Sequence, residues 1–271
     1  MNDPNKVKEM YINNDTLSTR INVHDKYSVN PHGWANWVFE QYRFKENMNV
    51  LELGCGTGNT WLGREEQIPK NTKIILTDIS DLMIQKTKEK LAAHKNMSFL
   101  VMDVQNISFE DGYFDIIIAN HMLYHVPDIS KALSEIKRVL KKDGCFYATT
   151  TGLNHLKELG DIYRIYEGKA QFNYASEITF NLDNGENILK EYFTDIKKHL
   201  YIDSLEITDV QALMDYMVSY NEIPKTVYDE IYDMIAKEVK EKGMLKINKD
   251  SGMFICGVGR VNGTPLEWMC E

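Results

Sequence analysis

Residues 50–59 read VLELGCGTGN, and the fold is decided by how the apolar half of this stretch gives way to its glycines. Val50, Leu51 and Leu53 have the character of a strand buried on both faces, as strands of a parallel sheet are. Glu52 stands among them, and Gly54, Gly56 and Gly58 follow in alternation. Glycine tolerates backbone angles and close approach that a Cβ forbids, and a ligand-free tight turn needs one such residue rather than three. In an open α/β sheet, ligands bind beyond the carboxyl ends of the strands, where strand order reverses. The next helix is expected to begin nearby, with its N-terminus toward the ligand.

Outward from this turn, strand-like and helix-like runs alternate. NVLEL (49–53), KIILTD (73–78), MSFLVMD (97–103), FDIIIAN (114–120) and GCFYATT (144–150) are short, apolar and predicted as five strands of one sheet. SDLMIQKTKEKLAAH opens with a Ser/Asp cap. DISKALSEIKRVLKKDG opens at Asp128 after Pro127, sets Ile129, Ala132, Leu133, Ile136, Val139 and Leu140 on one face, and closes on a glycine. Strand, helix, strand in sequence implies parallel pairing through right-handed crossovers, hence a doubly wound, Rossmann-like α/β core.

Composition sets the outer limits. The 271 residues are 43% hydrophobic and 26% charged, enough for one large α/β domain with additions. No apolar run approaches a membrane span, and the opening MNDPNKVKEM lacks the apolar centre of a signal peptide, so the expected setting is cytoplasmic with no membrane partner. Cys55, Cys145, Cys256 and Cys270 are scattered, which suggests free thiols and no metal site. A net charge of −9 disfavours a nucleic-acid surface, and the densest basic cluster, RVLKK at 138–142, reads as a solvated helix end. Monomer and homodimer both remain open.

Two nucleotide-type ligands compete for the turn. A dinucleotide fingerprint G-x-G-x-x-G places its third glycine at position 59, where this chain has Asn59. Glu52 would also repel a pyrophosphate, whereas it suits a ligand with a positive charge. No Gly-Lys-Ser/Thr follows, which excludes a Walker loop. Twenty residues past Gly58, Asp78 closes the second strand, where a carboxylate accepts hydrogen bonds from the two hydroxyls of a ribose.

VLELGCGTGN, LTDISDLMI, MDVQNISFEDGYFDIIIANHMLYHVPD and LKKDG together resemble, in order over about residues 48–150, the motifs of class I S-adenosylmethionine-dependent methyltransferases. The likeness is to the group that includes the ubiquinone and menaquinone biosynthesis C-methyltransferases. It implies a seven-stranded, mostly parallel sheet with S-adenosyl-L-methionine as cofactor. FTDIKKHLYIDSLEI (193–207) and GMFICGVGR (252–260) would be the sixth and seventh strands. By the resemblance, Glu52, Gly54, Cys55, Gly56, Thr57 and Gly58 flank the methionine part, Asp78 holds the ribose, and Ile79 and Met83 pack on the adenine. Asp103 meets the adenine amino group with Val104 beside it, Asn120 and His121 lie at the sulfonium end, and Tyr27 reaches the methionine moiety from an N-terminal cap.

The expected organisation is a helical cap over residues 1–46, a cofactor core over 47–153, a lid and substrate-side segment with the sixth strand over 154–244, and a final strand and tail over 245–271. Two apolar stripes, Val210, Leu213, Met214, Met217 and Val227, Ile231, Met234, Ile235, predict lid helices. A sulfonium-bound methyl is already activated, so the enzyme mainly aligns a nucleophile and excludes water. Where the acceptor must lose a proton, His125, His121 and Tyr124 are the catalytic candidates just past the fourth strand, with His24 and His32 behind them. The expected function is methyl transfer to an O, N or C nucleophile of a small molecule. A non-catalytic cofactor-binding module and, less favoured, a nicotinamide-dependent oxidoreductase are the competing readings.

Overall fold

The computed structural model describes residues 14–166, 178–220 and 223–257, with side chains from residue 19. Two N-terminal helices, α1 (Asn14–Tyr27) and α2 (Trp34–Gln41), precede a seven-stranded sheet. The strands are β1 (Asn49–Leu53), β2 (Lys73–Asp78), β3 (Met97–Val101), β4 (Phe114–Asn120), β5 (Leu140–Thr151), β6 (Asp195–Ile207) and β7 (Leu245–Gly257). Their order is β3-β2-β1-β4-β5-β7-β6, with β7 antiparallel to both neighbours and the remaining pairs parallel. The order reverses between β1 and β4, so the crevice that an α/β sheet offers to ligands opens beyond Leu53 and Asn120.

Successive residues of the central strands serve opposite faces, and both faces are covered. Val50, Ile116 and Ile118 join one cluster with Val38 and Phe39 of α2, whereas Leu51, Leu53, Ile117 and Ala119 join another under α4 (Ile129–Val139). Helix α4 buries Ala132, Leu133, Ile136 and Val139 and is capped by Asp128, whose side chain accepts from the Lys131 N–H at 2.9 Å. Helix α3 (Asp81–Leu91) starts at Ser80 and buries Met83, Ile84, Thr87 and Leu91.

No helix follows the Gly-rich turn, contrary to the sequence expectation. Four successive turns closed by i→i+3 bonds run from Cys55 to Gln67, through Gly58, Trp61 and Arg64, and end in the short 3-10 helix Glu65–Gln67. Gly56, Gly58 and Gly63 hold positive φ there, which breaks an α-helical repeat. Trp61 is completely buried beneath β1, so the turn is pinned by its own aromatic.

Strands β6 and β7 pair over thirteen residues, from Asp195↔Gly257 to Ile207↔Leu245, and extend past the rest of the sheet. The seventh strand therefore begins seven residues before the stretch read from sequence; residues 258–260 of that stretch, with Cys270 and the rest of the tail, lie outside the described residues. The tip of this pair carries α7 (Val210–Val218) and α8 (Lys225–Lys242), while α5 (Lys157–Ile165) and the short α6 (Gly185–Leu189) follow β5. Residues 167–177 of the lid segment and residues 1–13 of the cap also lie outside the described residues. Leu213, Met214 and Met217 of α7 and Val227, Ile231 and Ile235 of α8 are buried against Leu205, Ile207, Leu245 and Ile247, and Val210 and Met234 are half-buried beside them.

The same cluster takes in Val23 and Tyr27 of α1. Arg20 donates to the Ser219 hydroxyl at 3.0 Å and to the Ser219 carbonyl, and its guanidinium lies 3.6 Å over the Tyr220 ring. The N-terminal helix and the insertion thus form one packed unit. Because charge-assisted bonds and a stacked cation hold it, Arg20→Ala is expected to speed amide exchange ~10-fold in both 19–27 and 210–218, with β1 to β5 unchanged. Faster exchange in α1 alone would show that the two helices open independently.

Candidate active site

At the carboxyl ends of β1, β2 and β4 a cavity of about 350 Å³ is lined by Glu52, Gly54, Cys55, Gly56, Thr57, Asp78, Ile79, Met83, Asp103, Val104, Asn120, His121 and His125. Four segments far apart in sequence therefore meet on one cleft. Trp34, Ala35 and Val38 of α2 and Ile21 of α1 line it as well.

The glycines divide by what they face. A Cβ on Gly54 would stand 2.8 Å from that of Met122, and one on Gly58 would stand 2.9 Å from Thr87 and Leu91 of α3. A Cβ on Gly56, which lines the cavity, would meet nothing within 4 Å. Gly58 is accordingly absent from the lining, and close approach of α3 is its reason for being glycine. The Gly56 carbonyl accepts from Thr87 Oγ1 at 2.6 Å and its N–H donates to Asp78 Oδ2 at 3.0 Å.

Asp78 accepts also from the Ser80 N–H at 2.9 Å, so its two oxygens tie the Gly-rich turn to the start of α3. Asp103 Oδ1 accepts from the Gln105 N–H at 2.9 Å, and the Gln105 side chain donates to the same carboxylate. Gln105 itself lines the cleft and went unread in the sequence, although an Asp two residues ahead of it signals such a turn.

Glu52 is almost fully buried. It accepts from the Trp61 indole N–H at 2.6 Å and from the Asn120 amide at 3.1 Å, and that amide also donates to the Tyr42 hydroxyl at 2.8 Å. Burial pushes the Glu52 carboxyl up to about 7 against the opposing pull of these donors, and the nearby Asp78 charge adds to the rise. Trp61 and Tyr42 were not read as site residues; a lone Trp after a Gly-rich turn gives no hint that it folds back under its own strand.

Past β4, His121 takes a positive φ of 49°, stabilised where its N–H donates to the Thr149 carbonyl and hydroxyl at 3.1 and 3.0 Å. Its ring packs 5.1 Å from Trp34. Burial holds both His121 and His125 down to about 4, so both are neutral at physiological pH. Tyr124 stands apart from the lining and packs edge-on to His125 at 4.6 Å. Tyr27 is also absent from the lining: it faces away into the cluster beneath α7 and α8, and Ile21, six residues earlier on α1, reaches the cleft instead. His32, exposed, pairs with Glu40 at 2.8 Å away from the cavity.

A 3-2-1-4-5-7-6 sheet with a buried carboxylate, a Gly-rich turn and an acidic strand end around one cleft is the arrangement that the resemblance to class I S-adenosylmethionine-dependent methyltransferases implies, and the similarities to known proteins support a methyltransferase of this class. Residues 51–148 match the family model described as a methyltransferase domain. Among its relatives, the chain is 27% identical over 173 residues to a demethylmenaquinone methyltransferase of Staphylococcus aureus, covering 59% of this chain and 71% of that protein. It is 32% identical over 136 residues to a ubiquinone/menaquinone biosynthesis C-methyltransferase of Proteus mirabilis, covering 49% of this chain and 54% of that protein. A phosphoethanolamine N-methyltransferase 2 of Haemonchus contortus in complex with S-adenosyl-L-methionine shares the fold, with a TM-score of 0.57 and 18% identity over 90% of this chain and 57% of that one.

Proposed function

We propose that the cleft holds S-adenosylmethionine with its methionine part along Glu52 to Thr57, its ribose on Asp78 and its adenine between Ile79, Met83 and the Asp103–Val104 turn. The methyl then passes to a small-molecule acceptor in the cytoplasm. The observation that carries this reading is Glu52, a buried carboxylate that lines the cavity with no ion pair among the described residues. Such a group calls for a cation, and the ligand's ammonium answers it, whereas a dinucleotide's pyrophosphate would be repelled.

S-adenosylmethionine supplies a methyl activated by its sulfonium, so the chain's contribution is alignment and exclusion of water. Asn120 is braced by Glu52 and Tyr42, and its amide fixes the carboxylate's orientation. Trp34 and Ile21 line the cavity, and His121 and His125 present neutral imidazoles to the acceptor side. Imidazoles held near 4 accept protons weakly, and hydrogen bonding to the acceptor suits them better than general-base work. The matched family region, 51–148, leaves out α1, β6 and the α7–α8 insertion.

Calorimetry with S-adenosylhomocysteine and with a nicotinamide dinucleotide tests the cofactor assignment; binding of the dinucleotide alone would reject it. Within the site, Asp78→Ala is expected to weaken S-adenosylhomocysteine binding ~10-fold or more, since charge-assisted bonds to a ribose are worth ~1.5–3 kcal/mol each. The same substitution frees the Gly56 and Ser80 N–H groups and lowers the melting temperature. Asp78→Asn retains an acceptor for one of them and should recover part of the stability and little of the affinity. Unchanged affinity in a folded Ala variant would remove Asp78 from the ribose site.

A further inference from the structure

Thr149 of β5 pairs with Asn120 across the parallel β4–β5 ladder; it is completely buried and absent from the cavity lining. It opens a run of three threonines, Thr149 to Thr151, at the carboxyl end of its strand. Buried hydroxyls find partners as a rule. Thr150 donates to the Phe180 carbonyl at 2.8 Å, which ties β5 to the segment that follows α5. The Thr149 hydroxyl instead joins two residues that line the cavity past β4: its Oγ1 accepts from the His121 N–H at 3.0 Å and donates to Asn120 Oδ1 at 3.3 Å.

What each partner can do fixes the direction of these bonds. A backbone N–H only donates, so His121 takes a lone pair of the Thr149 hydroxyl and leaves its hydrogen for Asn120 Oδ1. With that oxygen held, the Asn120 amide turns Nδ2 to the Tyr42 hydroxyl at 2.8 Å, Glu52 Oε1 at 3.1 Å and Thr60 Oγ1 at 3.5 Å. The other Glu52 oxygen accepts from the Trp61 indole at 2.6 Å. An amide turned over would set its carbonyl oxygen against the carboxylate, and two acceptors sit together only where a hydrogen lies between them, as on a protonated Glu52. The Tyr42 and Thr60 hydroxyls both donate and accept, so they fit either sense of the amide. Thr149, oriented by the His121 N–H, fits one.

We propose that Thr149 is a positioning residue for cofactor binding: its hydroxyl holds the Asn120 amide with N–H toward Glu52, and so keeps that carboxylate ionised to meet the ligand's ammonium. This rests on the reading of Glu52 as the ammonium's partner. Around Glu52, desolvation and the Asp78 charge favour the neutral acid, while Trp61, Asn120 and Thr60 donate to the charged form. Tyr42 and Cys55, pushed upward by burial, stay neutral. The indole can only donate, whereas the amide can be reversed, so the sense of the amide is where the balance turns. The same threonine also steadies the left-handed backbone of His121, whose φ is 49° and whose N–H reaches the Thr149 carbonyl at 3.1 Å.

The test is calorimetry on the full chain with S-adenosylhomocysteine, which carries the same ammonium, across the pH range in which Glu52 titrates. Thr149→Val keeps the shape of the side chain and removes its hydroxyl. The midpoint of its affinity against pH is expected to lie ~1 unit above that of the wild type, so that binding is ~10-fold weaker at about pH 6 and within ~3-fold of wild type by about pH 9. Thr149→Ser, which keeps the hydroxyl, should hold the wild-type midpoint. In an Asn120→Ala chain, Thr149→Val should move the midpoint no further, because the threonine acts through that amide. A hydroxyl that merely supports the strand would weaken binding by one factor at every pH. The wild-type midpoint in Thr149→Val, a shift in Thr149→Ser as large as that in Val, or a shift that persists without Asn120 overturns this proposal alone. Should the Val variant not fold, Thr149→Ala removes the same hydroxyl with less bulk and is judged by the same midpoint. A wild-type chain that binds S-adenosylhomocysteine with no slope near pH 7 overturns the pairing of Glu52 with the ammonium and this proposal with it. One that binds none overturns the cofactor reading as well.

Discussion

Gly56→Val is expected to abolish S-adenosylhomocysteine binding, by more than ~100-fold, while the chain stays folded. Gly56 lines the cavity and a Cβ there would meet nothing within 4 Å, so the protein itself offers it room. The variant's own cost is the backbone, because φ at Gly56 is 55° and a left-handed residue costs ~1–2 kcal/mol for a side chain that has a Cβ. The ligand then competes with the isopropyl group for the same volume, and steric exclusion in a closed turn is nearly complete. Gly58→Ala supplies the contrast. Its Cβ would stand 2.9 Å from Thr87 and Leu91, so that variant should lose stability first, with cofactor affinity following only as far as α3 shifts. Thermal melting and calorimetry on the two variants separate the outcomes. Gly56→Val binding within a few-fold of wild type would place the cofactor elsewhere.

The contrast between these two glycines also marks where sequence reading stops. Both stand in the same G-x-G-x-G run, and spacing cannot say that one faces a cavity and the other a helix that starts twenty-three residues later. The sheet, by comparison, is legible: Ile74 to Leu76 and Ile116 to Ala119 are apolar without interruption, and Val50 to Leu53 is broken only by Glu52, because both faces of a central parallel strand are covered. The Leu213, Met214, Met217 stripe is legible for the opposite reason, since a helix covered on one side keeps a 3.6-residue period. What hides is whatever depends on long-range closure. Trp61 replaces an expected helix with a chain of turns because its indole reaches back to Glu52, and Tyr27 turns from the cleft because β6 and β7 run on past the sheet and give it a second core to fill. Ile21 and Gln105 join the cavity only once α1 has docked on α7 and the Asp103 turn has closed.

Cofactor affinity should rise with pH through about 7 and lose up to ~10-fold per unit below it, because the ligand's ammonium is matched by Glu52 only when that carboxyl is ionised. Desolvation first, and Asp78 second, raise Glu52 from 4.5 to about 7, whereas Trp61 and Asn120 resist the rise. Tyr42 and Cys55, the other titratable groups against it, are themselves pushed upward by burial and stay neutral across this window. The sign follows for stability as well. A carboxyl whose folded value lies above its unfolded one favours folding below about 4.5 and loses that contribution as pH rises through about 7, a change of ~3 kcal/mol at most. The ligand-free chain is thus expected to melt lower at pH 8 than at pH 6, and S-adenosylmethionine should restore more stability at the higher pH, where the uncompensated charge is present. Binding at pH 6 should release close to one proton, read from calorimetry in buffers of different ionisation enthalpy, and the number should fall toward zero by pH 8. Glu52→Gln keeps an acceptor for the Trp61 indole but carries no charge, so its affinity should be ~10-fold or more below wild type at pH 8 and flat across the range. A Gln variant that retains the wild-type slope would assign the proton to another group and leave Glu52 as no more than a brace for Trp61.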